Sequence, residues 1–293
     1  MSLHDMFKFV RQEIPLSMCT RLQLGGVATY IAEPENEAEL SALLAHCKKE
    51  NIPVRVLGLG SRLLVRESGV SGVVVRLSKP EFCRITVEGV LLTAGAGVQF
   101  GQIITQSVSE GLSGIEAFVG MPGSFGGAVC GNTGTTHGGD LGQWVESVRV
   151  AQLDGKISVL AKNEITFGYR TSSLDDVVMI SATLRLEKED PKELAKRMRK
   201  LWIIRKSQQP SGEVASMLAF KNPETGLSAA DLIEQVGLKG TRIGGAVISE
   251  RNASFITVDP EAISDDVVRL VMLVQEQVAK HTEIQLEPAM EIW

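Results

Sequence analysis

The spacing of apolar residues predicts an amphipathic helix from Glu37 to Glu50. One face of this helix carries Leu40, Leu43, Leu44 and Cys47. The Asn51-Ile52-Pro53 sequence then ends the helix. Apolar runs at 54–57 and 72–77 predict two strands, with the glycine turn Gly58-Leu59-Gly60-Ser61 after the first. Residues 20–78 are therefore predicted to form a small β-α-β-β unit.

The pattern changes character from Glu81 onward. Alternating residues around Glu88-Gly89 predict a hairpin, and a helical repeat follows at 99–110. A glycine-rich stretch from Gly111 to Gly142 separates this helix from a run of further predicted strands. These strands are 145–153 and 157–160, joined by an Asp154-Gly155 turn, and 177–186.

The last third of the chain reads as alternating helices and strands. A helix is predicted at 191–206, followed by a linker-like stretch at 207–214. An apolar run, Met217 to Phe220, is typical of a buried strand and stops abruptly at Lys221-Asn222-Pro223. The remaining predicted elements are helices at 229–236 and 265–280 and strands at 246–248, 254–258 and 284–286. We place boundaries near residues 79 and 207, which gives domains at 1–79, 80–206 and 207–293.

Composition narrows the class of protein. Hydrophobic residues make up 44% of the chain and charged residues 22%, which is ordinary for a globular protein with a sizeable core. The net charge of −5 and the absence of a long basic run argue against a nucleic-acid partner. No apolar run approaches the roughly 18 residues that span a bilayer, so we expect a soluble cytoplasmic protein without membrane insertion. The sequence leaves the oligomeric state open, and a monomer is compatible with it.

The cysteines and histidines do not form a metal site. The four cysteines are scattered, without a C-x-x-C pair, and the four histidines show no ligand spacing. We expect buried free thiols in a reducing compartment, and no metal.

The glycine-rich segment from Gly120 to Asp140 is suited to a phosphate ligand. Residues without a Cβ let backbone N–H groups approach a charged group closely. Hydroxyl donors within the segment are Ser124, Thr133, Thr135 and Thr136. The Gly58–Ser61 turn alone is more often an ordinary tight turn, but together the two segments suggest a diphosphate held between domains. Neither a dinucleotide-binding G-x-G-x-x-G fingerprint nor a P-loop is present.

Several longer motifs stand in the order and spacing of one family. The chain resembles the UDP-N-acetylenolpyruvoylglucosamine reductases, in the shorter subtype that lacks an extra tyrosine loop. The motifs are TRLQLGG at 20–26, VLGLGSRLLV at 56–65, GMPGSFGGAV at 120–129, FGYR at 167–170, FKNP at 220–223, AADLIEQVGLKG at 229–240 and LEP at 286–288. The resemblance runs from about residue 15 to the C-terminus.

That resemblance implies an α+β fold and a flavin reaction. Two α+β units would form an FAD-binding module of the vanillyl-alcohol-oxidase type, and a third α+β unit would close over the substrate. NADPH would pass hydride to FAD, and the reduced flavin would pass it to the enolpyruvyl group of a UDP-sugar. The product would be UDP-N-acetylmuramate, a peptidoglycan precursor.

The resemblance also assigns residues. Arg170 is the arginine that, with a glutamate, polarises the enolpyruvyl carboxylate, and a guanidinium is chemically suited to fork onto a carboxylate. Asn222 is assigned to substrate contact, whereas Tyr169 either lines the carboxylate or only packs. Arg62 replaces a usual asparagine and places a cation near the pyrophosphate. The FAD-binding residues so assigned are Gly58, Gly60, Ser61, Arg62, Gly120, Pro122, Gly123, Ser124, Gly126, Gly127, Asn132 and Gly134.

Two positions depart from the family pattern at the chemistry itself. The proton donor of the family, a serine or cysteine after a glycine, is Leu218 here, after Met217. The C-terminal glutamate that follows Leu-Glu-Pro is Ala289. Ser216 lies two residues from Leu218 on the same strand face and is the candidate to substitute for the acid. Glu287 and Glu291 each lie two residues from Ala289 on its strand face and are the candidates to substitute for the carboxylate, with Glu287 preferred. Ser216 would need a bulge to reach the position of Leu218.

The sequence therefore leaves three functions open. The first is the reductase reaction, with water or Ser216 as the acid. The second is an FAD- and UDP-sugar-binding paralogue that has lost this activity and acts as a sensor or partner protein. The third is a flavin enzyme that acts on another nucleotide-linked substrate.

Overall fold

The protein was analysed as a computed structural model that describes residues 2–135, 138–210, 215–224 and 226–293. The chain separates into two compact units. The first unit comprises residues 1–14, 29–59 and 71–203, and the second comprises residues 15–28, 60–70 and 204–293. The chain thus passes between the units several times. The three-part division at 79 and 207 stays a prediction.

The first unit is built on an antiparallel five-stranded sheet and a smaller four-stranded sheet. The five-stranded sheet has the order β12-β11-β15-β7-β6, and the smaller one has the order β1-β2-β5-β3. Its strands are β1 Val10–Pro15, β2 Val27–Ala32, β3 Val54–Val56, β5 Val70–Val75, β6 Ile85–Glu88, β7 Leu91–Gly95, β8 Leu112–Ser113, β9 Gly134–Thr135, β10 Gly139–Asp140, β11 Val145–Gln152, β12 Ile157–Ala161, β13 Phe167–Gly168, β14 Thr171–Ser172, β15 Val177–Arg185 and β16 Glu187–Lys188. Its helices are α1 Leu3–Met6, α2 Glu37–Lys49, α3 Phe100–Ser109 and α4 Phe125–Cys130, with the start of α5 Pro191–Gln208.

Apolar stripes at helical spacing pack α2 and α3 into the hydrophobic core of the first unit. In α3 the buried residues are Phe100, Ile103, Ile104, Ser107 and Val108, a repeat of three and four residues. The tight turn between β6 and β7 contains Gly89 at φ 65°, a left-handed conformation that glycine adopts without a steric penalty.

The second unit is an antiparallel sheet covered on one face by two helices. The sheet has the order β17-β20-β19-β18. The elements of this unit are β4 Leu63–Leu64, β17 Ala215–Leu218, α6 Ala229–Gln235, β18 Arg242–Ile243, β19 Ala246–Ile248, β20 Phe255–Val258, α7 Ser264–Thr282 and β21 Glu291–Ile292. The buried stripe of α7 includes Val267, Leu270, Val271, Val274 and Val278, which pack with the inner face of the sheet.

Most predicted elements are confirmed, with shifts of one or two residues at their ends. The helices at 37–50, 99–110, 229–236 and 265–280 are present, as is the hairpin around Asp154-Gly155. Helix α5 continues to Gln208, two residues beyond its predicted end, so it takes up the start of the predicted linker. The rest of that linker, 211–214, lies outside the described residues. No described helix has the length and apolar character that crossing a membrane requires.

The predicted strand at Ile284–Leu286 is wrong. Helix α7 ends at Thr282, and the capping residue Glu283 that follows has a left-handed conformation, φ 60°. The chain then runs back along this helix, and the side chain of Gln275 donates to the carbonyl of Leu286 at 2.8 Å. Leu286 is buried in the core. The hydrophobicity of Leu286 therefore reflects packing against a helix. The Gln275 side chain supplies the hydrogen bond that a neighbouring strand would otherwise make to the Leu286 carbonyl.

Candidate functional site

The two glycine segments meet within the first unit. A Cβ placed on Gly58 would lie 2.2 Å from the Oγ of Ser124 and 3.3 Å from its Cβ. The backbone at Gly58 therefore touches the start of the Gly120–Val129 motif directly. This contact requires glycine at residue 58 for steric reasons.

Ser124 organises the start of helix α4. Its side chain accepts a hydrogen bond from the N–H of Gly127 at 3.3 Å, as an N-cap residue does. Gly126 packs so closely on Ala96, the residue after β7, that a Cβ there would lie 2.9 Å from the Cβ of Ala96. The preceding turn uses Gly120 at φ 78° and Gly123 at φ 122°, which residues with side chains rarely adopt. Pro122, between them, is exposed.

This surface of the first unit fits a dinucleotide cofactor. Gly58, Gly120 and Gly127 present backbone without side chains, so a phosphate can approach closely. Beside Gly58, the apolar side chains of Val56 and Leu59 are 44% and 39% exposed, which gives a flat ring system an apolar surface to lie against. These features fit FAD, although the sequence pattern had not pointed to Val56 or Leu59.

The rest of the Gly58–Ser61 turn belongs to the second unit. Gly60 has φ 60°, and a Cβ there would lie 2.2 Å from the carbonyl oxygen of Cys19. Its own carbonyl accepts from the N–H of Arg21 at 3.0 Å. Ser61 is half-buried, and the carbonyl of the half-buried Arg62 accepts from the N–H of Glu291 at 2.9 Å. Gly60 is therefore needed for the fold of this segment.

Tyr169 and Arg170 form the tip of a two-stranded hairpin in the first unit. The hairpin pairs β13 with β14, and Arg170 has the left-handed φ of 59°. One guanidinium nitrogen, Nη2, donates to the carbonyl of Gly134 at 3.0 Å. The guanidinium carbon lies 5.9 Å from the centre of the Tyr169 ring, and Tyr169 is 48% exposed. The hairpin thus joins the predicted substrate arginine to the glycine-rich segment.

Asn132, predicted to bind FAD, forms side-chain hydrogen bonds within the protein. Its side chain is buried, with 2% exposure. The amide nitrogen Nδ2 donates to the carbonyl of Gly168 at 2.7 Å, and Oδ1 accepts from the N–H of Gly142 at 2.9 Å. Cofactor binding by this residue stays a prediction. Thr136, the remaining predicted hydroxyl donor nearby, lies outside the described residues.

Sequence reasoning missed Ser172 at the base of the same hairpin. Its Oγ–H donates to the carbonyl of Cys130 at 2.7 Å, and the residue is buried. A polar residue alternating with the exposed Thr171 was a weak signal of an inward-facing contact.

Leu218, which the resemblance places at the family's proton-donor position, lies on a regular strand of the second unit. Strand β17 pairs with β20 in an uninterrupted register, with Ser216 opposite Thr257 and Leu218 opposite Phe255. Ser216 and Leu218 therefore share a face, as predicted, but no bulge brings Ser216 to the place of Leu218. The two residues stay about 7 Å apart along the strand. Met217, where the family pattern has glycine, is buried in the core.

The second altered position lies on the adjoining backbone. Phe220 pairs with Pro288 in an antiparallel bridge, and the N–H of Ala289 donates to the carbonyl of Ala219 at 2.8 Å. Ala219 directly follows Leu218. Leu218 and Ala289, the two positions predicted to depart from the family pattern, are therefore neighbours in the fold.

The nearby polar side chains already have partners. Glu287 forms an ion pair with Lys221 at 3.1 Å, and the Glu287 side chain is 74% exposed. The Oδ1 of Asn222 accepts from the N–H of Ala229, at the first turn of α6, at 3.0 Å. Asn222 thus supports this helix in addition to its predicted substrate contact.

Comparisons with known proteins cover nearly the whole chain. Residues 209–293 match the model of the UDP-N-acetylenolpyruvoylglucosamine reductase C-terminal domain, and residues 28–161 match that of an FAD binding domain. The UDP-N-acetylenolpyruvoylglucosamine reductase of Rhodopirellula baltica is 37% identical over 99% of this chain and 94% of its own. That of Moorella thermoacetica is 38% identical over 95% of this chain and 91% of its own. The crystal structure of the Thermus caldophilus reductase superimposes with a TM-score of 0.84 at 36% identity, covering 97% of this chain and all of that one.

Proposed function

Because the chain belongs to the UDP-N-acetylenolpyruvoylglucosamine reductase family, we propose that it reduces UDP-N-acetylglucosamine enolpyruvate with NADPH and without a side-chain proton donor at residue 218. The observation that supports substrate reduction best is the hairpin that holds Arg170 against the glycine-rich segment. The reaction yields UDP-N-acetylmuramate, a peptidoglycan precursor, and it takes place in the cytoplasm.

The glycine backbone around Gly58 and Ser124 would hold FAD, which would supply the two-electron chemistry for hydride transfer from NADPH to the enolpyruvyl double bond. Arg170 binds the substrate carboxylate and stabilises the negative charge that develops there as hydride adds. One N–H of the guanidinium donates to Gly134, and a guanidinium carries five such donors.

The proton that completes the reduction comes from water. Leu218 has no exchangeable proton, and Ser216 stays one strand repeat away in an unbulged register. A positioned general acid typically contributes about 10²–10⁴ in rate. We therefore expect hydride transfer to this substrate to be slower by a factor of this size than in a variant with the acid restored.

A second function is favoured by the proximity of the two substitutions. Leu218 and Ala289 lie on backbone segments joined by the Ala289-to-Ala219 hydrogen bond. A protein that binds FAD and a UDP-sugar without reducing the sugar would tolerate the loss of both polar groups at one place. A flavin enzyme whose nucleotide-linked substrate needs hydride but no positioned acid would fit the same apolar pair.

Restoring the two groups tests the proposal. The variant Leu218→Ser/Ala289→Glu is compared with Leu218→Ala/Ala289→Gln, which makes similar changes in size without an acid or a carboxylate. The measurement is anaerobic reoxidation of the NADPH-reduced protein by UDP-N-acetylglucosamine enolpyruvate. Slow reoxidation in the unaltered protein, with a gain of about 10²–10⁴ only in the first variant, supports the reductase. If the unaltered protein shows no reoxidation and the first variant does, the protein is a paralogue that has lost the activity. If neither the unaltered protein nor either variant is reoxidised, the substrate is a different one.

A further inference from the structure

The hairpin that carries Arg170 is attached to residues 130–134 by three hydrogen bonds from side chains. Ser172 Oγ–H donates to the carbonyl of Cys130 at 2.7 Å, and Arg170 Nη2 donates to that of Gly134 at 3.0 Å. Between them, Asn132 Nδ2 donates to the carbonyl of Gly168 at 2.7 Å. We call residues 130–134 and their hydrogen bonds to the hairpin the hairpin anchor. The hairpin and this segment therefore form one hydrogen-bonded unit.

Asn132 is the member of the hairpin anchor that reaches in both directions. Its Nδ2 holds Gly168, two residues before Arg170, and its Oδ1 accepts from the N–H of Gly142 on the opposite side. Its backbone is left-handed, with φ 38°, a conformation that asparagine tolerates better than most residues. With 2% of the residue exposed, the side chain is enclosed by the protein.

The consequence falls on Arg170. This residue lies at a two-residue hairpin tip in the left-handed region, which a residue with a long side chain holds only when its surroundings fix it. The bond from Asn132 to Gly168 fixes the backbone just before the tip, whereas the bond from Arg170 to Gly134 fixes only one edge of the guanidinium. Bidentate binding of a carboxylate depends on the direction of the guanidinium plane.

We infer that Asn132 is a positioning residue: it orients Arg170 for the substrate carboxylate and does not use its side chain to bind FAD. This inference rests on the proposed function, in which Arg170 receives that carboxylate. Removing the Asn132 side chain should weaken binding of the carboxylate-bearing substrate and leave FAD affinity unchanged.

The test uses the FAD-loaded full-length protein and the variant Asn132→Gly. Glycine keeps the left-handed backbone available while both side-chain hydrogen bonds are lost. The matched control is Asn163→Gly, the same change at an exposed residue of the first unit. Arg170→Lys serves as the reference for loss of bidentate carboxylate binding by the guanidinium. Affinities for UDP-N-acetylglucosamine enolpyruvate and for UDP-N-acetylglucosamine, which lacks the carboxylate, are measured from the perturbation of the flavin absorbance, and FAD affinity is measured separately.

We expect Asn132→Gly and Arg170→Lys each to weaken the enolpyruvyl ligand by about 10- to 100-fold, as loss of a charge-assisted contact does. Affinities for UDP-N-acetylglucosamine and FAD should change by less than about twofold, and the control should change nothing. Weaker FAD binding in Asn132→Gly, or equal weakening of both sugar nucleotides, would overturn the inference. If Arg170→Lys loses affinity and Asn132→Gly does not, the inference fails while the proposed function stands. If Arg170→Lys has no effect, the proposed function itself fails.

If Asn132→Gly does not fold, Ser172→Ala removes a different bond of the hairpin anchor, the one to Cys130. A selective loss of affinity for the carboxylate-bearing ligand would support positioning by the anchor. Unchanged affinity for that ligand would count against it.

Discussion

Replacing Gly58 by alanine should destabilise the first unit because the new methyl group meets Ser124. The added Cβ would lie 2.2 Å from Ser124 Oγ, well inside van der Waals contact, but 3.3 Å from Ser124 Cβ. Gly58 does not have a left-handed φ, so the penalty is steric and does not come from the backbone. Overpacking of this kind costs about 1–3 kcal/mol.

The same geometry predicts a rescue. Ser124→Ala alone loses the cap on α4 and should cost about 1 kcal/mol. In the double variant the clashing oxygen is gone, and the closest remaining approach is 3.3 Å to the Cβ of residue 124, a tight contact that a shift of a few tenths of an ångström would relieve. The double variant should therefore be no less stable than Gly58→Ala alone, which gives a coupling of at least about 1 kcal/mol, the cost of the lost cap.

Urea unfolding of the apoprotein, followed by far-UV circular dichroism, measures these free energies of unfolding. Fluorescence titration with FAD measures the affinity for the cofactor. The matched control is Gly101→Ala, since a Cβ on this glycine of α3 has nothing within 4 Å. Alanine there should be neutral or stabilising by up to about 1 kcal/mol. FAD affinity should fall in Gly58→Ala and recover partly in the double variant. Additive effects of the two substitutions, within about 0.5 kcal/mol, would refute the contact.

Three further predictions concern other side chains. Glu67 accepts the N–H of Ser264 at 2.6 Å and also its hydroxyl; burial opposes ionisation of Glu67, but these hydrogen bonds outweigh it and hold its pKa below the usual value. Because Glu67 is exposed, Glu67→Gln should cost only about 0.5–1 kcal/mol in urea unfolding at pH 7, and the cost should shrink as the pH falls through the pKa of the folded state. A cost that does not shrink at all as the pH is lowered from 7 to 3 would contradict this. Burial raises the pKa of the Cys47 thiol to about 11. Iodoacetamide at pH 8 should therefore alkylate the exposed Cys83 before Cys47, which peptide mass spectrometry can determine. Equal rates of alkylation would contradict the burial of Cys47. Glu287→Gln should change the reoxidation rate by less than about twofold, since its exposed ion pair contributes little, and a tenfold loss would identify Glu287 as the substitute carboxylate.

The elements that could be predicted from the sequence are those whose burial pattern is local. The stripe of α2 and the turn residues of the β11–β12 hairpin determine their structures within a few residues, and both are confirmed. The run Ile284 to Leu286 misled because burial against a helix and burial in a sheet produce the same apolar sequence. The family and the α+β fold with its FAD-binding domain were predicted from the motifs and are confirmed by the matched domains.

The site was predictable only as far as its motifs extend. Gly58 and Ser124 were both predicted from the motifs as FAD-binding residues. Their mutual contact was not predictable, because it joins residues more than sixty positions apart. The interactions of Asn132 with Gly168 and Gly142 could not be derived from a motif, because a residue in a glycine-rich segment is suited equally to a ligand and to the protein's own backbone. The proximity of Leu218 and Ala289 became visible only when the bridge between Phe220 and Pro288 was known.

The most direct test of the central claim is anaerobic stopped-flow spectroscopy of the unaltered, FAD-loaded protein. The flavin is reduced with NADPH, UDP-N-acetylglucosamine enolpyruvate is added, and the flavin absorbance is followed. The account predicts full reoxidation with formation of UDP-N-acetylmuramate, at a rate lower than in the Leu218→Ser/Ala289→Glu variant by a factor of about 10²–10⁴. A flavin that binds the substrate and stays reduced would contradict it.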